Sequence, residues 1–322
     1  MGPLRLAIIV PVYNDWDSLE ILIPKIDFSL RDKNVKAKLI IINDASTDKA
    51  RINTSAIEQI HVVDKIDIVH LNCNTGHQRA IAIGLSEAYR RDDLDAIVVM
   101  DSDGEDRPED IPNLLAEHIK QKEAIIVAGR KKRSEDQLFK LGYLAYRLIF
   151  RILTGCSINF GNFCLIPANK LRQLVYRDSL CNHLPATILR AKNQVVMIST
   201  TRGSRLIGKT NMNLPTLVLQ GFSAVSVYSD IALLRIIFMS IVFGVISVVG
   251  IVTVTIMKFF TQLATPSWAS TVVGSLTTII VLLIFMYLLI LLLILSNRSQ
   301  LTIIPAKHLF NYIHNIQTVF KK

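Results

Sequence analysis

Two carboxylates, Asp101 and Asp103, stand one residue apart at the end of the apolar run Ala96-Ile97-Val98-Val99-Met100. An extended run with no polar face is buried on both sides, so its last residues emerge together at the rim of a sheet. Two anionic oxygens at such a rim can share a divalent cation with the oxygens of a diphosphate, because Mg²⁺ and Mn²⁺ need only one or two protein carboxylates when phosphate supplies the rest. An Asp-x-Asp triplet alone is a weak signal, and its weight comes from its neighbours.

Those neighbours are short β-branched runs alternating with stretches of helical spacing. Leu6–Val12, Ala37–Ile42, Ile66–Leu71, Ala96–Met100 and Ala124–Ala128 read as strands, with Ser18–Leu30, Gly76–Arg91 and Pro108–Lys122 as helices between them. The order predicts an α/β domain with a mostly parallel sheet and helices on both faces. Ligands in such sheets gather outside the carboxyl ends of the strands. The polar residues following each run are therefore the candidates: Tyr13-Asn14-Asp15, Asn43-Asp44, Asn72–His77, Asp101–Asp106 and Gly129–Arg133.

The charge is unevenly spread over the 322 residues. All 26 acidic residues precede position 231, whereas only six of the 36 basic ones follow it: Arg235, Lys258, Arg298, Lys307, Lys321 and Lys322. Ile236–Met257 is free of charge, and so is the stretch between Lys258 and Arg298, interrupted by Thr265-Pro266-Ser267-Trp268. Each supplies the ~20 apolar residues that cross a bilayer. The basic residues flank the outer ends, a bias that predicts cytoplasmic termini and a catalytic domain on the cytoplasmic side of the inner membrane. The expected division is a front domain over 1–205, a juxtamembrane amphipathic segment over 206–230, a two-helix hairpin over 231–297 and a basic amphipathic tail over 298–322. Phe139–Leu153, Leu214–Tyr228 and Pro305–Lys322 are each expected to be amphipathic helices, lying on the membrane or packed on protein. With a net charge of +10 and no nucleic-acid motif, anionic lipid headgroups rather than nucleic acid are the expected counterpart. Cys73, Cys156, Cys164 and Cys181 have no C-x-x-C spacing and read as reduced thiols, neither disulfides nor zinc ligands.

The ordered set Val10-Pro11-Val12-Tyr13-Asn14-Asp15, Ile42-Asn43-Asp44-Ala45-Ser46-Thr47-Asp48 and Met100-Asp101-Ser102-Asp103-Gly104-Glu105-Asp106-Arg107-Pro108-Glu109 resembles the family 2 glycosyltransferases of GT-A fold. With two C-terminal spans the chain is most similar to their polyprenyl-phosphate branch, which includes dolichyl-phosphate mannose synthase. The resemblance implies a Rossmann-like domain that takes a UDP- or GDP-sugar and passes one sugar, with inversion, to an undecaprenyl-type phosphate. It further implies that Pro11, Tyr13, Asp15, Asp44 and Asp101 hold the nucleotide, and that Asp103 with Asp101 ligates Mg²⁺ or Mn²⁺. Homo-oligomers occur among such relatives, and nothing in the sequence fixes a number.

Several residues keep two readings. Asp44 either reads the base or ends a strand, since Asn-Asp-Ala-Ser is a turn sequence. Glu105, where relatives usually carry Gln, either joins the cation or faces solvent. Arg130, Arg202, Arg205 and Lys209 either hold the acceptor phosphate or form a polybasic stretch at the headgroups. His77 either faces the donor pocket or is a solvated loop residue. Where relatives commonly have Gly-Asp-Phe-Arg, the chain has Gly161-Asn162-Phe163-Cys164, so Asn162 stands at the catalytic position without a charge. A phosphate monoester with second pKa about 6 arrives largely deprotonated and needs no general base, so Asn162 is expected to position a sugar hydroxyl. Two alternatives remain in view: a two-span scaffold with an impaired transferase domain, and a processive polysaccharide synthase. The latter lacks its Gln-x-x-Arg-Trp motif here, where Trp16 and Trp268 are the only tryptophans.

Overall fold

The computed structural model describes residues 2–48, 60–91, 93–130, 147–208, 214–260, 268–299 and 303–322, with backbone only for 130, 214–218 and 294–299. The chain forms two compact units. The first is built on an eight-stranded sheet of order β7-β5-β6-β4-β1-β2-β3-β8. Its strands are β1 (Leu4–Val12), β2 (Val35–Asn43), β3 (Val63–Leu71), β4 (Ala96–Val99), β5 (Ile125–Arg130), β6 (Phe160–Pro167), β7 (Val195–Thr200) and β8 (Ile313–Lys321). Every strand except β6 and β8 runs the same way.

Alternation along the strands sorts the core into two layers. Leu6, Ile8 and Val10 of β1 face one side with Leu39 and Ile41 of β2 and Val98 of β4. There α1 (Trp16–Leu30) lays down Leu19, Leu22, Ile23 and Ile26, and α3 (Ile111–Lys120) adds Leu114 and Leu115. Ala7, Ile9, Ile40, Ile42, Ile97 and Val99 face the other side, against α2 (His77–Tyr89), α4 (Ala168–Val175) and α5 (Leu184–Arg190). Helix α2 approaches closely because Gly84 has no side chain: a Cβ there would lie 2.5 Å from Ile9 Cγ2 and 3.1 Å from Ile42 Cγ1.

The tail departs from expectation. Instead of an amphipathic helix over Pro305–Lys322, a short helical turn leads into β8, which pairs antiparallel with β3 at the sheet edge. The helical spacing rested on Leu309, Ile313, Ile316 and Phe320, but Ile313, Ile316, Thr318 and Val319 are β-branched and the free edge of β3 offers them a ladder, so pairing overrides the weak helical pattern. Thr318 donates to the buried Asp67 carboxylate at 2.7 Å, which fixes the strand to the domain. Residues Ile313–Lys321 of the tail are thus part of the sheet.

The second unit takes residues 143–156 and 228–301. Its described parts are a helical segment over 147–154 and the long helices α7 (Ser229–Phe260) and α8 (Trp268–Ser299); α6 (Leu214–Ser226) precedes them in the first unit. Ser240, Ser247 and Val254, seven residues apart, are buried in α7 while most of its other side chains are exposed. The Arg235 guanidinium donates to the carbonyls of Ile152 (2.7 Å) and Arg151 (3.3 Å), satisfying the open end of the 147–154 helix. Both α7 and α8 are long and apolar enough to cross a membrane, with mean hydropathy 2.7 and 3.0 over their best stretches.

Candidate active site

Chain order reverses beside β1: β2 and β3 follow on one side and β4 lies on the other. A crevice opens at such a switch point beyond the strands' carboxyl ends. Tyr13-Asn14-Asp15 leave β1 on one wall and Asp101-Ser102-Asp103 leave β4 on the other, and Met100 N–H bonds to the Ile9 carbonyl across the gap. Ser102 Oγ donates to Asp15 Oδ2 at 3.1 Å, joining the two walls, and Ser18 Oγ of α1 donates to Asp15 Oδ1 at 2.6 Å.

The Asp101–Asp106 turn is held from within and from above. Asp106, 3% exposed, accepts the Asp101 N–H at 3.0 Å, and Asp103 Oδ1 accepts the Glu105 N–H at 2.9 Å. Gly104 takes φ +81°, a conformation glycine adopts without strain. The segment after β7 lies across this turn: Gly203 N–H bonds to the Glu105 carbonyl and Leu206 N–H to the Asp103 carbonyl, both at 2.9 Å. It carries Arg202, which pairs with Glu105, and Arg205, whose Nη2 is 3.9 Å from Asp15 Oδ2. The Glu105 carboxylate, mostly shielded from solvent, is thus neutralised by Arg202.

The donor set suits a divalent cation shared with a ligand. Burial raises the Asp103 carboxyl above the usual range, the Asp101 charge raises it further with Asp15 behind, and Arg205 and Arg202 only partly offset this. Crowded carboxylates of this kind are relieved by an added positive charge. No three His, Cys, Asp or Glu side chains among the described residues form a cage, so the pair matches a cation completed by phosphate oxygens better than a structural metal.

Asp44 has a local role. Its Oδ1 accepts from Thr75 N–H (2.6 Å) and Thr75 Oγ1 (2.8 Å), its Oδ2 from Gly76 N–H (2.9 Å), and it is 4% exposed. The carboxylate thus ties the loop after β2 to the loop after β3, as the strand-end reading of that motif expects. Asn14 performs a similar join, accepting the Thr47 and Asp48 N–H groups at 2.9 and 3.2 Å. Pro11 is buried near the end of β1, and Tyr13 stands 49% exposed beyond it.

Opposite Asp101, His77 at the start of α2 places Nε2 3.2 Å from Asp101 Oδ1 and 3.0 Å from Asn162 Nδ2. Burial opposes the imidazolium, but Asp101, Asp106 and Asp103 together outweigh it and raise the His77 pKa. Asn162 in β6 also accepts from Gln78 Nε2 at 3.1 Å. Of the expected site residues, Asp15, Asp101, Asp103, Glu105, Arg202 and Arg205 come together here, with Asn162 joined through His77. Arg130 ends β5 in register with Thr200, its backbone alone described, and Lys209 lies outside the described residues. Cys164 is buried in β6 opposite Val99, and burial pushes its thiol far up. Ser18 and Gln78 carry no expectation from the sequence, and Ser102 and Asp106 do so only as members of the Asp101–Asp106 run. Each acts through a partner three to 87 residues away, and only Ser18 and Asp106 lie near enough in sequence to leave a local trace.

The glycosyl transferase family 2 model matches residues 7–178, which takes in both walls of the crevice and β6. An uncharacterized glycosyltransferase, YkcC, of Bacillus subtilis is 24% identical over 84% of this chain and 82% of its own length. An undecaprenyl-phosphate 4-deoxy-4-formamido-L-arabinose transferase of Klebsiella pneumoniae is 31% identical over 51% of this chain, which spans only about half of that relative (48%). A dodecaprenyl-phosphate galacturonate synthase of Rhizobium johnstonii is 28% identical over 54% of this chain and 52% of its own length. Among solved structures, glucosyl-3-phosphoglycerate synthase from Mycobacterium tuberculosis aligns with TM-score 0.49 at 15% identity, covering 71% of this chain and 80% of that one. With its mostly parallel GT-A sheet and the family model spanning more than half of its length, the chain is a glycosyltransferase and belongs to glycosyl transferase family 2.

Proposed function

We propose that this protein moves one sugar from a nucleotide-sugar to a polyprenyl phosphate of the undecaprenyl type at the cytoplasmic face of the inner membrane. The observation that carries the reading is the Asp101–Asp103 turn at the switch-point crevice, with Arg202 and Arg205 brought over it on one strap. Relatives whose names specify undecaprenyl- and dodecaprenyl-phosphate acceptors support the lipid side. Helices α7 and α8 support a membrane anchor: only 11% and 6% of their most apolar stretches are buried within the chain, so lipid is the partner that would remove the rest from water.

In this account Tyr13 and Asp15 flank the nucleoside, and Asp103 with Asp101 would hold Mg²⁺ or Mn²⁺ against the diphosphate. When bound, such a cation supplies Lewis-acid stabilisation of the departing diphosphate. An acceptor phosphate oxygen forms the new bond to the anomeric carbon as the bond to the diphosphate breaks, a single displacement that inverts that centre. The acceptor is already mostly dianionic near neutrality, so the protein's task is to hold it in line. Arg202 and Arg205 do this, exchanging Glu105 and Asp15 for phosphate oxygens in whole or in part.

The test is a donor screen. Purified full-length protein, undecaprenyl phosphate and Mn²⁺ are mixed with individual UDP- and GDP-sugars, and the lipid extract is read by mass. One donor is expected to give a glycosyl-phosphoryl lipid, and release of nucleoside diphosphate with no lipid product from any donor would refute the acceptor assignment.

A further inference from the structure

Gln78 is a polar residue of α2 beside Asn162, and its neighbours fix its orientation. A backbone N–H can only donate, so the Leu184 N–H at 2.8 Å fixes Gln78 Oε1 as the acceptor end of that amide. The other end, Nε2, then donates to Asn162 Oδ1 at 3.1 Å. Asn162 is thereby turned so that Nδ2 points at His77 Nε2, 3.0 Å away. Three side chains are oriented in series from one immovable donor at the start of α5.

The orientation matters because His77 Nε2 has two claimants. It lies 3.0 Å from Asn162 Nδ2 and 3.2 Å from Asp101 Oδ1, and one ring nitrogen cannot accept from the first while donating to the second. A carboxylate at position 162 would accept from both Gln78 and His77, and Gln78 would have no orientation to impose. With the amide of this chain, Gln78 decides which atom faces the crevice.

We propose that Gln78 is a positioning residue for sugar transfer: it holds Asn162 with its N–H group, not its carbonyl, toward His77 and the crevice. The remaining Asn162 N–H is then a donor for an oxygen of the transferred sugar. This rests on the transfer reading above, but the orientation itself can be tested without turnover.

The first measurement is ¹⁵N NMR of ring-labelled histidine in the full-length protein, in detergent without nucleotide or metal and at a pH high enough that the His77 ring is neutral, so that its tautomer and not its charge is read, the His77 signal being assigned by its loss in His77→Gln. Wild type is expected to give a hydrogen-free, pyridine-like Nε2. Gln78→Glu still accepts the Leu184 N–H but can no longer donate, so Asn162 should turn and Nε2 should become the protonated nitrogen. An unchanged His77 signal in Gln78→Glu would overturn the proposal. The second measurement is a double-mutant cycle on kcat/KM for the donor. Gln78→Leu is expected to cost roughly ten-fold beside Asn162 and less than about two-fold in the Asn162→Asp background, where the symmetric carboxylate needs no orienting. Equal losses in both backgrounds would mean that Gln78 only supports the fold, and would overturn it. If wild type transfers no sugar at all, the transfer reading fails while the NMR result still decides the orientation.

Discussion

Removing the Asp106 carboxylate tests whether the Asp101–Asp103 turn is held in place by hydrogen bonding rather than by the chain alone. Asp106 Oδ2 accepts the Asp101 N–H at 3.0 Å and is 3% exposed, so water cannot readily take its place. Asp106→Ala leaves a donor unmatched in a shielded site, at about 1–3 kcal/mol. For a domain of this size that lowers Tm by about 2–4 °C per kcal/mol. The larger effect is on chemistry: displacement of catalytic oxygens by about 1 Å costs on the order of 10²-fold in rate. Asp106→Asn keeps an oxygen of the same shape for the Asp101 N–H, and should retain most of the stability and be within about ten-fold of wild-type kcat. The assay pairs thermal unfolding by tryptophan fluorescence in detergent with kcat for lipid-extractable product at saturating donor and Mn²⁺. Wild-type kcat in Asp106→Ala would refute the reasoning. An Asp106→Asn enzyme as damaged as Asp106→Ala would show that the charge matters and the hydrogen bond does not.

Three further outcomes follow from the same structure. Arg205→Ala should raise the KM for the lipid phosphate by about ten-fold or more with little change in the KM for the donor, as expected for one lost charge-assisted contact; an unchanged lipid KM would remove Arg205 from the acceptor site. Gly84→Val should destabilise the domain by about 1–3 kcal/mol in a denaturant melt, because the added side chain meets Ile9 and Ile42; no change in midpoint would mean that α2 is not tightly seated. His183, whose Nδ1 accepts the Ala186 N–H at the start of α5, is held by burial down to a pKa of about 4. Its neutral form is the one the fold favours, so its contribution is complete above the ordinary value of 6.5 and is lost as pH falls toward 4. The difference in Tm between wild type and His183→Asn should therefore shrink over that window, and a constant difference would contradict the assignment.

Much of the front domain is legible in the sequence. The first five strands and the three helices between them have unbroken β-branched or helical patterns, and they fall within a few residues of Leu4–Val12, Val35–Asn43, Val63–Leu71, Ala96–Val99, Ile125–Arg130 and their helices. Strands β6 and β7 leave little trace because Phe160-Gly161-Asn162-Phe163 and Val195-Val196-Met197-Ile198 are embedded in mixed sequence. The tail's strand is not legible because a helical spacing of four apolar residues cannot reveal that β3 has a vacant edge 250 residues earlier. The carboxylates themselves were found by type and spacing. What holds them was not, since Ser102 to Asp15 and Gln78 to Asn162 are long-range pairs with no local pattern. Charge compensation was hidden for the same reason: Arg202 and Glu105 are a polybasic stretch and an acidic turn in sequence, and an ion pair in space.

The most direct test of the central claim is the anomalous scattering of Mn²⁺ in crystals of the full-length protein grown with a nucleoside diphosphate. The account predicts one strong peak at the crevice, within coordination distance of the Asp103 carboxylate and a diphosphate oxygen, and absent from Asp103→Asn crystals. A bound nucleotide with no peak there, or a peak away from both Asp101 and Asp103, would contradict it.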